Sequence, residues 1–298
     1  MSNFSIKDLE HLSGIKAHTI RIWEQRYELI QPKRTDTNIR YYDDNDLKLI
    51  LNVALLKDNG FKISKIAQMS GGEIQREVMT LTETKLKYPE QIHALTIAMV
   101  DIDEERFEKI VSTNILKIGF EKTMINVIYP FLSKIGILWQ TGSINPGQEH
   151  FISNLIRQKL IVAIDSQYVA KTKNAKTFLL YLPEGELHEL SLLFANYIIR
   201  ARQHRTIYLG QSLPLSDLVH IYTHHKPDYV LTIITSAVGP AYIQEYVTKL
   251  GEKFSESDIM LSGYQVIGQD LELTENTTIF SRLDTIIDYV DHVVSVEA

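Results

Sequence analysis

The hydrophobic positions of this 298-residue chain change period along its length, and each change marks a boundary. Near the start they recur at helical spacing. Ile6, Leu9 and Leu12 form a short stripe, opened by Ser5 with Asp8 three residues on, a capping box in which Asp stands for the more usual Glu. Ser13-Gly14 reads as a turn. In the helix that follows, about 100° per residue puts Ile20, Trp23 and Tyr27 on one side and His18, Arg21 and Gln25 on the other. Pro32 ends the helical run, and Lys33, Arg34 and Arg40 bracket a polar tip, Thr35 to Asn38, that predicts a β-hairpin wing. Leu47, Leu51 and Leu55 mark a further helix, which Gly71-Gly72 is expected to break. The polar, mixed-charge stretch up to Tyr88-Pro89 has the composition of a linker.

From about residue 90 to 170 the spacing is helical throughout, with segments near 90–100, 104–117, 121–139 and 146–168. Four helices with short loops predict a bundle. The last begins with Asn145 as N-cap, Pro146 at the first helical position and Gln148 completing a box. Beyond about residue 175, short apolar runs of strand length appear at Thr177–Leu182, Thr206–Gly210, Asp228–Ile234, Asp258–Ser262 and Thr277–Ser281. Helical segments separate them, the first with a regular apolar face of Leu190, Leu193, Phe194, Tyr197, Ile198 and Ala201. Five strands alternating with helices predict a flavodoxin-like or Rossmann-like doubly wound parallel sheet, whose ligands sit at the carboxyl ends of the strands. The expected organisation is multidomain α + α/β: a winged helix-turn-helix at 1–70, a linker at 71–88, a four-helix bundle at 89–170 and an α/β domain at 175–298.

Composition narrows the function. The chain has no cysteine, which excludes disulfides, thiolate metal sites and a cysteine nucleophile. It shows no apolar signal-peptide core and no run of transmembrane length, so a cytoplasmic location without a membrane is expected. The net charge is −6, but residues 1–70 hold 11 Lys+Arg against 9 Asp+Glu, and the remainder 20 against 28. Only the N-terminal end favours a polyanion. A helix-turn-helix presents the start of its second helix to base edges and uses flanking groups on the phosphates. Lys16, His18, Thr19 and Arg21 are therefore groove candidates, and Arg34, Asn38, Arg40 and Tyr41 backbone candidates. So weak a charge excess implies few phosphate contacts, and one such module buries only about 600 to 1,000 Å². Useful affinity for double-stranded DNA then calls for a dimer or tetramer on repeated half-sites.

The series Thr19-Ile-Arg-Ile-Trp-Glu-Gln-Arg-Tyr27, followed by Arg40-Tyr41-Tyr42 and the acidic run from Asp43 to Asp46, resembles the MerR family of winged-helix transcription regulators over the first 70 or so residues. It matches that family's T-[LI]-R-x-W-E-x-R-[YF] helix and wing end. In the α/β region, Glu186-x-His188-x-x-Ser191 resembles the [DE]-x-H-x-x-G motif of cobalamin-binding domains, with Ser191 in the place of the glycine. The resemblance implies His188 as the lower ligand to cobalt, with Glu186 orienting its other nitrogen. Ser236-Ala-Val238 and Ser262-Gly263 lie where that family has S-x-L and G-G elements against the nucleotide tail.

In the bundle, Trp139, nine residues, then Glu149-His150 matches the W-x₉-E-H signature of the light-sensing, cobalamin-dependent MerR-type repressors, the CarH and LitR group. This implies an indole above the corrin, with Glu149 and His150 near the adenosyl group of adenosylcobalamin. Gln140 departs from the pattern, because some photosensing members have there a histidine able to take the upper position after light cleaves the cobalt–carbon bond. The expected protein is a non-enzymatic repressor whose oligomerisation or operator binding follows cobalamin and light. The alternatives are a regulator of the same fold that has lost the cofactor and answers another ligand or a protein antagonist, and a cobalamin-dependent methyl-carrier module.

Overall fold

The computed structural model describes residues 4–35, 38–58, 60–84, 88–140, 144–168, 175–236, 240–267 and 269–295. The chain forms two compact units, Met1–Leu155 and Ile156–Ala298. The first opens with α1 (Ile6–Ser13) and α2 (Ala17–Tyr27), then a two-stranded wing of β1 (Lys33–Arg34) and β2 (Arg40–Tyr41). The predicted capping box is present: Asp8 N donates to Ser5 Oγ and Ser5 N to the Asp8 carboxylate. The turn after α1 is made by Gly14 at φ +73°, a left-handed conformation that costs glycine little. On α2, Ile20 and Trp23 are buried as the spacing predicts, whereas Tyr27 is only half-buried, with the Arg26 guanidinium 5.4 Å from its ring centroid. The helix ends at Tyr27, because Glu28 turns left-handed there.

The following α3 (Asp44–Asp58) is apolar nearly all round, with Leu47, Ile50, Leu51, Val53, Ala54, Leu55 and Leu56 buried. A helix of that composition must be covered on every side, and it is: α3 packs on α1, on α5 (Gly71–Thr84) and on α6 (Tyr88–Asp101). The short α4 (Ile63–Ile66) lies between. Two sequence expectations are corrected here. The helix bearing Leu47, Leu51 and Leu55 ends at Asp58, well before Gly71-Gly72. Residues 71–84 of the expected linker form a helix, because Ser70 and Glu73 make a capping box and Ile74 and Val78 are buried one turn apart. Polarity of the exposed face hid that stripe.

Beyond α6, α7 (Glu104–Ile118), α8 (Phe120–Thr123), a π-helical turn at Met124–Ile128, α9 (Tyr129–Gln140) and α10 (Pro146–Asp165) follow the predicted helical segments. Asn145 accepts from Gly147 N and donates its own N–H to the Gln148 side chain, the predicted start of α10. This region is tied to the helix-turn-helix through the carbonyl of Leu12, just before the turn. Lys134 Nζ on α9 donates to that oxygen at 3.3 Å, and His93 on α6 bonds it as well. Burial, reinforced by the Lys134 charge, lowers His93 to about 4, so its ring is neutral at pH 7.

The second unit holds β3 (Thr177–Pro183), α11 (Leu190–Ala201), β4 (Arg205–Leu213), α12 (Leu215–His225), β5 (Tyr229–Ile233), α13 (Pro240–Lys253), β6 (Asp258–Ser262), β7 (Thr277–Ile279) and α14 (Leu283–Ser295). The sheet is parallel in the order β4-β3-β5-β6-β7, the predicted doubly wound topology. Phe178, Leu180 and Leu182 of β3 enter the layer that also holds α11 and α14 residues, while Leu179 and Tyr181 enter the layer with α12 and α13 residues. That is why β3 reads as a continuous apolar run. Strand β4 runs past its expected end at Gly210 because the chain bulges there, with Gly210 at φ +76° and a register shift against β3.

Where β6 ends, Gly263 stands at φ +107° against β5. A Cβ at this position would lie 2.4 Å from the Ile234 carbonyl oxygen, so both space and conformation exclude a side chain. Gly263→Ala is expected to cost about 2 to 3 kcal/mol, read as a lower denaturant midpoint by circular dichroism. An unchanged midpoint would show that the contact is slack.

Candidate functional site

In the first unit, the outer face of α2 presents His18, Arg21 and Gln25 to solvent, with Thr19 half-exposed at its flank. Lys16 precedes the first turn and pairs with Glu10 at 3.0 Å, while Glu10 also accepts from Ala17 N at 3.1 Å. Glu10 thereby occupies the amino end of α2, and its hydrogen bond with Lys16 holds its carboxyl below the usual range. In the wing, Arg34 donates to the carbonyl and the side-chain oxygen of Asn38, at 3.3 and 2.7 Å, with Asn38 in the left-handed region at φ +65°. Arg40 is exposed and Tyr41 half-exposed. Buried Tyr42 bridges to Phe4 and donates its hydroxyl to Glu24, tying the wing end to α2. Groove and phosphate candidates thus stand on elements that one small core fixes.

The second unit brings Glu186, His188 and Ser236 together at the switch point of its sheet. From β3 the chain steps outward to the edge strand β4, then returns to β5 on the opposite side, so the loops after β3 and β5 diverge and leave a crevice. Pro183 to Glu186 form a turn closed by Glu186 N to Pro183 O at 2.9 Å, with Gly185 at φ +82°. That turn drops the Glu186 carboxylate into the crevice, where the residue is only 3% exposed. It accepts from Thr235 N and Ser236 N at 2.6 Å each, from Ser236 Oγ at 3.0 Å, from His188 N at 3.0 Å and from His188 Nδ1 at 2.5 Å.

Burial pushes the Glu186 carboxyl up, but the N–H groups of Ser236, His188 and Thr235, together with the His188 ring, outweigh it and bring it down to about 2. An ionised carboxylate can only accept, so Nδ1 of His188 is the donor. In the neutral ring Nε2 then carries the lone pair, and among the described residues no hydrogen bond engages it. The His188 side chain is 64% exposed. An oriented imidazole whose lone-pair nitrogen Nε2 is open to solvent is what coordination to the cobalt of a corrin would need, so these residues fit that group.

Residues that spacing alone could not reveal hold this loop. Gln211 Nε2 donates to Leu187 O at 2.8 Å, and Gly185 N donates to Ser212 Oγ at 3.1 Å. Glu189 accepts from Arg157 on α10 and from Tyr208 OH. Burial and that carboxylate push the Tyr208 phenol well up, keeping it protonated as the donor. The other expected positions are less joined. Ser191 lies in the first turn of α11, and no hydrogen bond links it to the Glu186 group among the described residues. Ser262 donates to Phe280 O at 2.8 Å and accepts at its carbonyl from Ile234 N, so it and Gly263 serve the protein's own backbone. In the first unit, exposed His150 lies with Nδ1 2.9 Å from Glu149 at the start of α10. Trp139 falls in the last turn of α9, which runs on to Gln140; both side chains lie outside the described residues.

Residues 4–72 match the MerR HTH family regulatory protein model, and residues 91–163 match the B12 binding domain model. The chain therefore carries a MerR-type helix-turn-helix region followed by a helical region similar to B12 binding domains. Among its relatives are two HTH-type transcriptional repressors of Myxococcus xanthus. CarH is 27% identical over 253 residues, spanning 83% of this chain and 84% of the relative, and CarA is 23% identical over 237 residues, spanning 79% and 77%. The regulator MlrA of Escherichia coli is 32% identical over 91 residues, 30% of this chain and 37% of its own. Among solved structures, the monomethylamine corrinoid protein of Methanosarcina barkeri superposes with a TM-score of 0.52 at 12% identity, covering 74% of this chain and 99% of that one. That likeness concerns the fold. No helix among the described residues is long and apolar enough to cross a membrane.

Because the folded Glu186 carboxyl lies below its ordinary value of 4.5, its stabilisation is complete above that pH and is lost as pH falls toward 2. The difference in unfolding midpoint between wild type and Glu186→Gln should be largest near neutrality and shrink from pH 5 to pH 2. A difference independent of pH would contradict the ionised, bridging carboxylate.

Proposed function

We propose that this protein is a transcriptional repressor that binds operator DNA through α2 and the wing, and that cobalamin held by His188 sets its operator affinity. The observation that carries the reading is the Glu186–His188 pair at the switch point, in a chain whose relatives over most of its length are repressors. Cobalamin, when bound, would supply a cobalt able to take an imidazole nitrogen and to exchange another of its ligands, with His188 as the residue that would hold it. The residues of this chain do the rest. Glu186 holds the ring of His188 and fixes its tautomer, Ser236 anchors Glu186, and Trp139, Glu149 and His150 are the positions that the W-x₉-E-H resemblance assigns to the upper face. Adenosylcobalamin is the form this assignment favours, and light the stimulus, although Gln140 removes the imidazole that some photosensing members place there.

A ligand shifts an assembly only by its differential affinity for the two states. Cobalamin therefore acts here by favouring one oligomer, a dimer or tetramer, whose paired winged helices match repeated half-sites on cytoplasmic DNA. A catalytic role is not part of this reading. A second reading, a regulator that has lost the cofactor, draws on Ser191 and on Gly263, whose open side is taken up by Ile234.

The two separate on purified protein. After incubation with adenosylcobalamin and desalting, wild type should retain a corrin spectrum and His188→Ala should lose at least nine-tenths of it, with mobility of an operator fragment changing in wild type only. Colourless wild type with unchanged DNA binding would favour the second reading.

A further inference from the structure

The outward face of α2 carries an apolar side chain that the fold does not use. Ile22 is 49% exposed, whereas Ile20 and Trp23 on the same helix are 0% and 4% exposed. At about 100° per residue it lies about 40° from His18, about 60° from Gln25 and about 160° from Ile20, on the solvent-facing side of the helix. Ile22 falls within the first two turns of α2, the part of a recognition helix aimed at base edges.

The neighbourhood restricts what can cover this side chain. Lys16 stands at the head of the helix, Arg21 beside Ile22, and Arg34 and Arg40 in the wing, so the surface suits a polyanion. In the major groove of DNA the apolar group offered by a base edge is the C5-methyl of thymine. Resting on the DNA-binding reading above, we infer that Ile22 reads a thymine methyl and so sets base preference, while the wing arginines Arg34 and Arg40 supply affinity without regard to sequence.

Selection from a random duplex pool with the full-length wild-type protein provides the preferred site. Each thymine of that site is then replaced singly by uracil, which removes only the methyl group, and binding is measured for wild type and for Ile22→Ala. Because Ile22 is exposed, the variant should unfold at the wild-type temperature. At one thymine in each half-site, uracil should weaken wild type about fourfold, the equivalent of roughly 0.8 kcal/mol for one buried carbon, and leave Ile22→Ala unaffected. Equal effects of every uracil on both proteins would overturn the inference while leaving DNA binding intact. Failure of the wild type to select any duplex would overturn the DNA-binding reading, and this inference with it.

Discussion

A single buried carboxylate organises the α/β unit at the point where its topology leaves a gap. The strand order β4-β3-β5-β6-β7 forces the loops after β3 and β5 apart, and Glu186 closes the opening by accepting two backbone N–H groups from the β5 side and one from its own loop. A carboxylate so buried is costly unless its lone pairs are filled. Here they are filled by groups that ionisation strengthens, so the charge persists and orients the His188 ring as a consequence. The same bonds that hold the fold at the switch point therefore prepare the imidazole, and Gln211, Ser212, Tyr208 and Arg157 keep the loop from relaxing around it.

The first unit has its own constraint, the all-round burial of α3. Because this helix is shared between the winged helix and the helical region, the two are one compact body, and the Leu12 carbonyl adds a polar fastening. Lys134, whose ammonium burial disfavours, and a neutral His93 converge on it from α9 and α6. The oxygen belongs to the last turn of α1, where carbonyls lack partners within the helix and the dipole welcomes a cation. Helix α9 is thus bonded to the residue preceding the helix-turn-helix turn, which gives it a short hydrogen-bonded route to the start of α2.

Much of this was readable from the chain because local rules and tertiary packing agree. Ser5 and Asp8, Asn145 and Gln148, and the left-handed Gly14 each mark an element end by chemistry confined to four residues. Strands β3 and β5 are legible because burial on both faces demands continuous apolar runs. The misreadings share one cause: residues 71–84 bury only a narrow stripe, and Tyr27 lies at a helix end where packing thins. Of the site, Glu186-x-His188 is compact enough to be seen as a motif. The backbone donors Thr235 N and Ser236 N carry no sequence identity, and Arg157 meets Glu189 across 32 positions, so neither could be read without the fold.

Whether the carboxylate-held imidazole of His188 would bind cobalt is read by electron paramagnetic resonance of the reduced cob(II)alamin complex, prepared with ordinary histidine and with nitrogen-15 histidine. With His188 on the metal, each cobalt line should be split into a triplet by one nitrogen, and the triplet should become a doublet when only the protein's histidines are labelled. A triplet indifferent to the label would mean that the nucleotide base holds the metal, and unsplit lines would mean that water does; in either case His188 would have no part in holding it.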